Sequence, residues 1–164
     1  MPNISNWFFD TLEEFEIIAI VLCFAAALVN KYKLDRFLFF SGPSNTGKST
    51  ALRFFDKLFI NSAVLTKQIS DLSSLFGLAE LIETNVRLLV VRDAEGSVSD
   101  KSVAIFKNLV SNSEPISISR KFLTSVNHTF SEGVIIALNY SNIFQKTAKG
   151  ILEKRIIPIE FPSS

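Results

Sequence analysis

One cysteine, one histidine and a net charge of +1 are all that 164 residues offer of three common functional resources. Each scarcity excludes something. A lone Cys23 cannot build an internal disulfide framework and suits a reducing compartment. It lies in an apolar run, where a thiol is expected to be buried and inert. A lone His128, with no Cys, Asp or Glu at ligand spacing, supports neither a metal site nor a Ser-His-acid arrangement. The 17 Lys and Arg nearly balance the 16 Asp and Glu, so no bulk attraction to nucleic acid or membrane exists and any such contact must be local. The run IIAIVLCFAAALV at 17–29 is the one candidate membrane segment, and it falls short of the ~18–20 residues that span a bilayer. Glu13, Glu14 and Glu16 precede it, unlike the basic start of a signal peptide. It reads as a buried helix in an intracellular chain that is not secreted. What the sequence has in plenty is apolar mass, 48% of residues with 16 Phe, enough for the core of one ordinary domain.

The most specific stretch is Ser41-Gly42-Pro43-Ser44-Asn45-Thr46-Gly47-Lys48-Ser49-Thr50. It fits G-x-x-x-x-G-K-[ST], a loop whose backbone N–H groups cradle phosphates. An apolar run, Phe37-Leu38-Phe39-Phe40, feeds it as a buried strand would. Leu52, Phe55 and Phe59 follow at helical spacing, with no Pro or Gly. Gly42 and Gly47 give the conformational freedom and close approach that a Cβ would block. Lys48 would reach the β- and γ-phosphates and the Ser49 hydroxyl would ligate Mg²⁺. The competing explanation, a chance glycine-rich turn, arises in roughly one such chain per hundred at average glycine content, and the strand–loop–helix setting lowers that. The motif predicts binding of a nucleoside triphosphate.

Helices and strands alternate along the rest. We expect a helix over about 11–32, opened by a Thr11–Glu14 capping box, and a short strand at 63–65. A helix over 71–82 and a strand over 86–92 follow. Next come a helix over 99–111, an alternating strand at 114–119, a buried strand over 134–138 and an edge strand over 155–161 containing Pro158. This order predicts an α/β fold with a mainly parallel central sheet. Phosphoryl transfer also needs an acid near the metal or water and positive charge against the transition state. In an open α/β sheet these sit at the carboxyl ends of strands. Asp93 ends one apolar strand and fits a metal-side acid or water-activating base; otherwise it is a turn residue. Glu95 is less well placed and reads equally as solvated. Asn139 ends another strand and can orient water or sense a γ-phosphate, or simply turn the chain. Arg120-Lys121 forms the basic tip of a hairpin, which suits a phosphate backbone or bare solvent.

In order, the motifs Gly42–Ser49, Leu88-Leu89-Val90-Val91-Arg92-Asp93-Ala94, Pro115-Ile116-Ser117-Ile118-Ser119-Arg120-Lys121 and Ile135-Ile136-Ala137-Leu138-Asn139 resemble the ATPase core of superfamily 3 helicases. These are replicative helicases of small DNA viruses and related plasmid or phage elements. The papillomavirus replicative helicases and the poxvirus and phage primase-helicases share the layout, and the third motif is the most telling. The resemblance implies a P-loop NTPase of AAA+ type with a β-hairpin insertion, acting as an ATP hydrolase and DNA helicase in replication. It implies a homo-hexameric ring around single-stranded DNA, with ATP and Mg²⁺ bound between subunits. Lys48 and Ser49 would hold phosphates and metal, and Asp93 and Asn139 would handle the water. Arg155, in Glu153-Lys154-Arg155-Ile156, would reach the neighbour's γ-phosphate, and Lys107 would also contact nucleotide across the interface. Lys121, with Arg120 and Phe122, would ride the DNA. It places the chain in the cytoplasm or nucleus of a host cell.

Three departures accompany the resemblance. The second motif often carries two adjacent acids, but Arg92 stands at the first, leaving Asp93 for metal and water. Phe122 stands where papillomavirus relatives carry a His, and suits stacking on a base or sugar. No origin-binding or primase domain is seen beside the core, so the chain is expected to be a fragment or to depend on such a partner for DNA loading. Residues 1–33 read as a helical remnant of an oligomerisation domain and 34–164 as the ATPase core. The favoured function is an ATP-dependent DNA motor. The alternatives are a nucleotide-binding oligomeric scaffold with weak turnover, supported by Arg92, and a small-molecule kinase, which leaves the third motif unexplained.

Overall fold

The computed structural model describes residues 12–29, 36–59, 63–74, 76–84, 86–92, 99–111, 115–130, 133–137 and 155–161. In chain order its elements are α1 (Glu14–Val29), β1 (Phe37–Ser41), α2 (Lys48–Leu58), β2 (Val64–Gln68), a 3-10 turn (Asp71–Ser73) and α3 (Ala79–Glu83). They continue with β3 (Leu88–Arg92), α4 (Asp100–Ser111), β4 (Ile116–Arg120), β5 (Leu123–His128), β6 (Gly133–Ala137) and β7 (Ile156–Glu160).

Five strands form one sheet in the order β2-β3-β6-β1-β7, every neighbouring pair parallel. The three interior strands, β1, β3 and β6, are buried on both faces, which is why they read as nearly unbroken apolar runs. Side-chain alternation then divides the core in two. Phe37 and Phe39 of β1 join Leu89, Val91, Val134 and Ile136 on the face covered by α4 through Phe106 and Leu109. Leu38 and Phe40 join Leu88, Val90 and Ile135 on the other face, covered by α2 through Ala51, Leu52 and Phe55 and by α1 through Ala19, Ile20 and Cys23. Burial pushes the Cys23 thiol up to about 12, so it stays protonated and unreactive. β7 lies at the sheet edge beside β1, with Pro158 opposite Phe39, where a residue without an N–H is tolerated. β4 and β5 make a separate antiparallel hairpin, anchored in the first core by Ile118 and followed by buried Phe130. Among the described residues no helix is long and apolar enough to cross a membrane.

The α/β architecture with a parallel sheet and a hairpin is as the sequence predicts; two local expectations are corrected. Thr11 lies outside the described residues, and α1 begins later, at Glu14. There Glu16 reaches back to accept from the Glu13 N–H at 3.0 Å, so the glutamates supply the cap. The expected helix over 71–82 is instead the 3-10 turn and the short α3. Ser73 and Ser74 donate from Oγ to the carbonyls of Ser70 and Asp71, at 2.9 and 2.8 Å, offering the backbone an alternative to the helix ladder. The chain then doubles back so tightly that a Cβ on Gly77 would stand 1.8 Å from the Asp71 carbonyl oxygen.

Candidate functional site

β1 is the second strand from the sheet edge, and its carboxyl end delivers the chain into the glycine-bearing loop. Three residues of that loop have positive φ: Gly42 at 143°, Asn45 at 65° and Gly47 at 96°. Asn tolerates the left-handed region better than most side chains. Gly42 admits none: a Cβ there would lie 2.4 Å from the Phe161 carbonyl oxygen and 3.2 Å from Thr46 Oγ1. Phe161 is thus a wall of the loop, pinned by its N–H donating to the Ser41 carbonyl at 2.9 Å. Glu160 N–H donates to Glu16 Oε1 at 2.9 Å, which ties α1 to the same wall.

Inside this curl, Thr46 Oγ1 donates to the Pro43 carbonyl at 2.9 Å. Lys48 is only 8% exposed, and its ammonium folds back to donate to the carbonyls of Gly42, at 2.7 Å, and Pro43, with Thr46 Oγ1 at 3.4 Å. A buried cation is thereby held over the loop by its own oxygens. Behind it α2 starts from Gly47, which supplies no side-chain cap, and its first turn carries no acidic residue. The positive end of the helix is therefore left uncompensated by its own side chains, a setting that favours an anion. Ser44, Asn45, Ser49 and Thr50 are exposed around the curl, and Pro43 with them. Curled backbone, helix N-terminus and buried ammonium together suit a polyanion of phosphate type.

The register brings the ends of two further strands to this end of the sheet. Phe40 is opposite Ala137, and Ala137 opposite Arg92, so β6 and β3 end level with the start of the loop. Asp93, Glu95 and Asn139 lie outside the described residues, as does Thr11. Two other predicted residues are placed away from the loop. Arg155 precedes β7 at the opposite end of the sheet, its carbonyl accepting from Phe37 N–H at 2.9 Å. Four residue steps along the strand, on the order of 13 Å, separate Phe37 from Ser41. Lys107 is half-buried on α4, on the face of the sheet away from α2.

The hairpin carries the remaining group. Its two-residue tip is Lys121-Phe122, with Arg120 opposite Leu123. Phe122 is 93% exposed at φ 61°, a costly conformation for a bulky side chain, and the Lys121 ammonium sits 5.3 Å over its ring. Arg120 turns inward and braces the turn, donating Nε and Nη2 to the Thr124 carbonyl at 3.2 and 3.1 Å. Two participants carry no signal in the sequence: Phe161, which meets the loop across more than a hundred intervening residues, and Asp56 on α2, which stands 3.9 Å from Arg92.

The NrS-1 C-terminal region, in an apo form, superposes with a TM-score of 0.72 at 16% identity, over 98% of this chain and 37% of that one. JCV helicase, with a thiazolopyridinyl-phenoxyphenyl acetamide bound, gives 0.66 at 17% identity, over 93% of this chain and 42% of that one. A second JCV helicase structure gives 0.62 at 16% identity. At such identities the likeness establishes a shared fold, that of helicase P-loop domains, and this chain spans less than half the length of those structures. No curated protein matches the sequence. One family model does, over residues 40–153, from the end of β1 through the loop, β3 and the hairpin to just short of Arg155. That span is more than half of the chain, and the protein belongs to DUF5906, a family of unknown function.

Proposed function

We propose that this chain is the ATPase core of a superfamily 3-type helicase, a motor that works on single-stranded DNA during replication of a viral or plasmid-like element. The observation that carries the reading is the loop from Gly42 to Lys48, with its buried ammonium, placed at the carboxyl end of a central parallel strand. ATP fits the groups present: the curl a Cβ would fill, the uncapped helix start and Lys48. Bound Mg²⁺–ATP supplies the transferable phosphoryl group and part of its charge neutralisation. Lys48 would exchange the loop carbonyls for phosphate oxygens. Ser49 would offer its hydroxyl to the metal with Asp93, and Asp93 and Asn139 would hold the attacking water. Arg155 lies at the far end of its own sheet, so its charge serves a neighbour's nucleotide, as does Lys107 from the other face. That requirement supports a homo-hexameric ring, with residues 1–33 as the remnant of an oligomerisation domain and 34–164 as the core. The exposed tip Lys121-Phe122 meets the DNA backbone and a base face.

The test is the steady-state ATP hydrolysis rate with and without single-stranded DNA, using Lys48→Ala as blank. Turnover that rises with DNA supports the motor. Nucleotide binding without DNA-responsive turnover favours the second reading, an oligomeric scaffold, for which Arg92 beside Asp93 is the specific observation. Within the motor reading, Lys121→Ala is expected to spare the basal rate and abolish DNA stimulation. Phe122→Ala should weaken single-stranded DNA binding by about tenfold, the scale of one lost stacking contact. Equal loss of basal and stimulated rates in Lys121→Ala would make that residue structural.

A further inference from the structure

β3 ends on an arginine where an acid would suit a metal. Arg92 follows the alternation of Leu88 and Val90, which lie in the core on the α2 side, so its side chain leaves the sheet on the face that carries the P-loop helix. Its backbone stands level with Phe40, two strand spacings or about 10 Å from the end of β1. An extended arginine covers most of that gap.

What holds the side chain is weak. Nη2 is 3.9 Å from Asp56 Oδ2, at the outer limit of an ion pair, with both side chains about two-fifths exposed. Such an exposed, long pair contributes little. Nε is buried and has no hydrogen-bond partner among the described residues. Leaving a buried donor unsatisfied costs more than such a pair returns, so pairing with Asp56 does not account for the placement. A phosphate oxygen would answer both deficits, giving Nε an acceptor and the planar fork an anion.

We infer that Arg92 is a second phosphate-binding cation of the nucleotide site, parked against Asp56 in this structure and drawn across to the phosphates by their charge. The inference rests on the nucleotide reading of the loop. It implies that part of the neutralisation a divalent cation provides comes here from the protein. Nucleotide binding should therefore depend only mildly on the metal.

Titration with a fluorescent ATP analogue, in Mg²⁺ and again in EDTA, tests this without any turnover. The wild-type chain should lose less than about tenfold in affinity on removing the metal. Arg92→Gln should bind about tenfold more weakly in Mg²⁺ and lose considerably more in EDTA, the scale of a lost charged hydrogen bond. Arg92→Asp, which restores an acid, should bind in Mg²⁺ but fall about a hundredfold in EDTA. Asp56→Asn should bind at least as tightly as wild type, because it only frees the arginine. Wild-type affinity in Arg92→Gln under both conditions would overturn the inference. So would an Asp56→Asn variant weakened as much as Arg92→Gln, since that would mark a structural pair. The nucleotide reading fails by a different sign: no difference between wild type and Lys48→Ala in either condition.

Discussion

Lys48→Ala is expected to bring nucleotide binding and hydrolysis to background. The side chain is buried, and its ammonium donates to the Gly42 and Pro43 carbonyls. These bonds hold the charge in position over the curl, so little reorganisation separates this arrangement from one in which phosphate oxygens are the acceptors. Hydrogen bonds to charged groups contribute about 1.5–3 kcal/mol each, and two of them exchanged for none corresponds to at least a hundredfold in affinity. Nucleotide titration and steady-state hydrolysis measure the loss directly. A variant that kept full affinity would remove the assignment of this loop. Folding of the variant is checked by its thermal unfolding transition, which should remain cooperative because the core on the α2 side is built from Leu52, Phe55 and their sheet partners.

Arg155→Ala should behave differently: hydrolysis falls about a thousandfold or more, the scale of a lost arginine finger, while nucleotide affinity changes little. The reason is positional. Arg155 stands at the amino end of β7, and the loop at the carboxyl end of β1, so no rotamer carries its guanidinium to its own chain's curl. A site completed by a neighbour makes a second measurement decisive. Subunits carrying Arg155→Ala have an intact Lys48, and subunits carrying Lys48→Ala have an intact Arg155. Mixed assemblies should therefore contain some sites with both groups and recover part of the activity. If mixing restores nothing, the shared-site model loses its support.

The strands were the most legible part of the chain. Short runs such as Leu88-Leu89-Val90-Val91, closed by a polar residue, read as strands buried on both faces, and the alternation in Ile116-Ser117-Ile118-Ser119 marks a strand with one face in the core. Local polar chemistry was less legible. Leu72, Leu81 and their neighbours mimic a helical stripe, yet the serine hydroxyls and the close passage at Gly77 break it. Periodicity records which residues are apolar and is blind to a hydroxyl competing for a carbonyl. The glycine-bearing loop was legible because its glycines, lysine and hydroxyl lie within one short stretch, 42–49. Its wall was not, because Phe161 arrives only through the β1–β7 pairing. Arg120 shows the same limit at smaller scale: its charge is visible in the sequence, but its engagement with Thr124 is not.

The last strand carries a consequence for how the loop can be observed. Among the described residues β7 pairs with β1 alone, and edge strands are where a sheet opens most readily. Yet its exit cannot fray independently. The Phe161 amide is bound to Ser41, the Glu160 amide to Glu16, and the Phe161 carbonyl lies against Gly42. Opening the edge and deforming the loop are therefore one event with one free energy. Anything that binds the closed loop must slow that opening by mass action. Two amide protons, on Glu160 and Phe161, thus keep a clock on the curl: their exchange with solvent reads how tightly it is shut, with no label placed in the site itself.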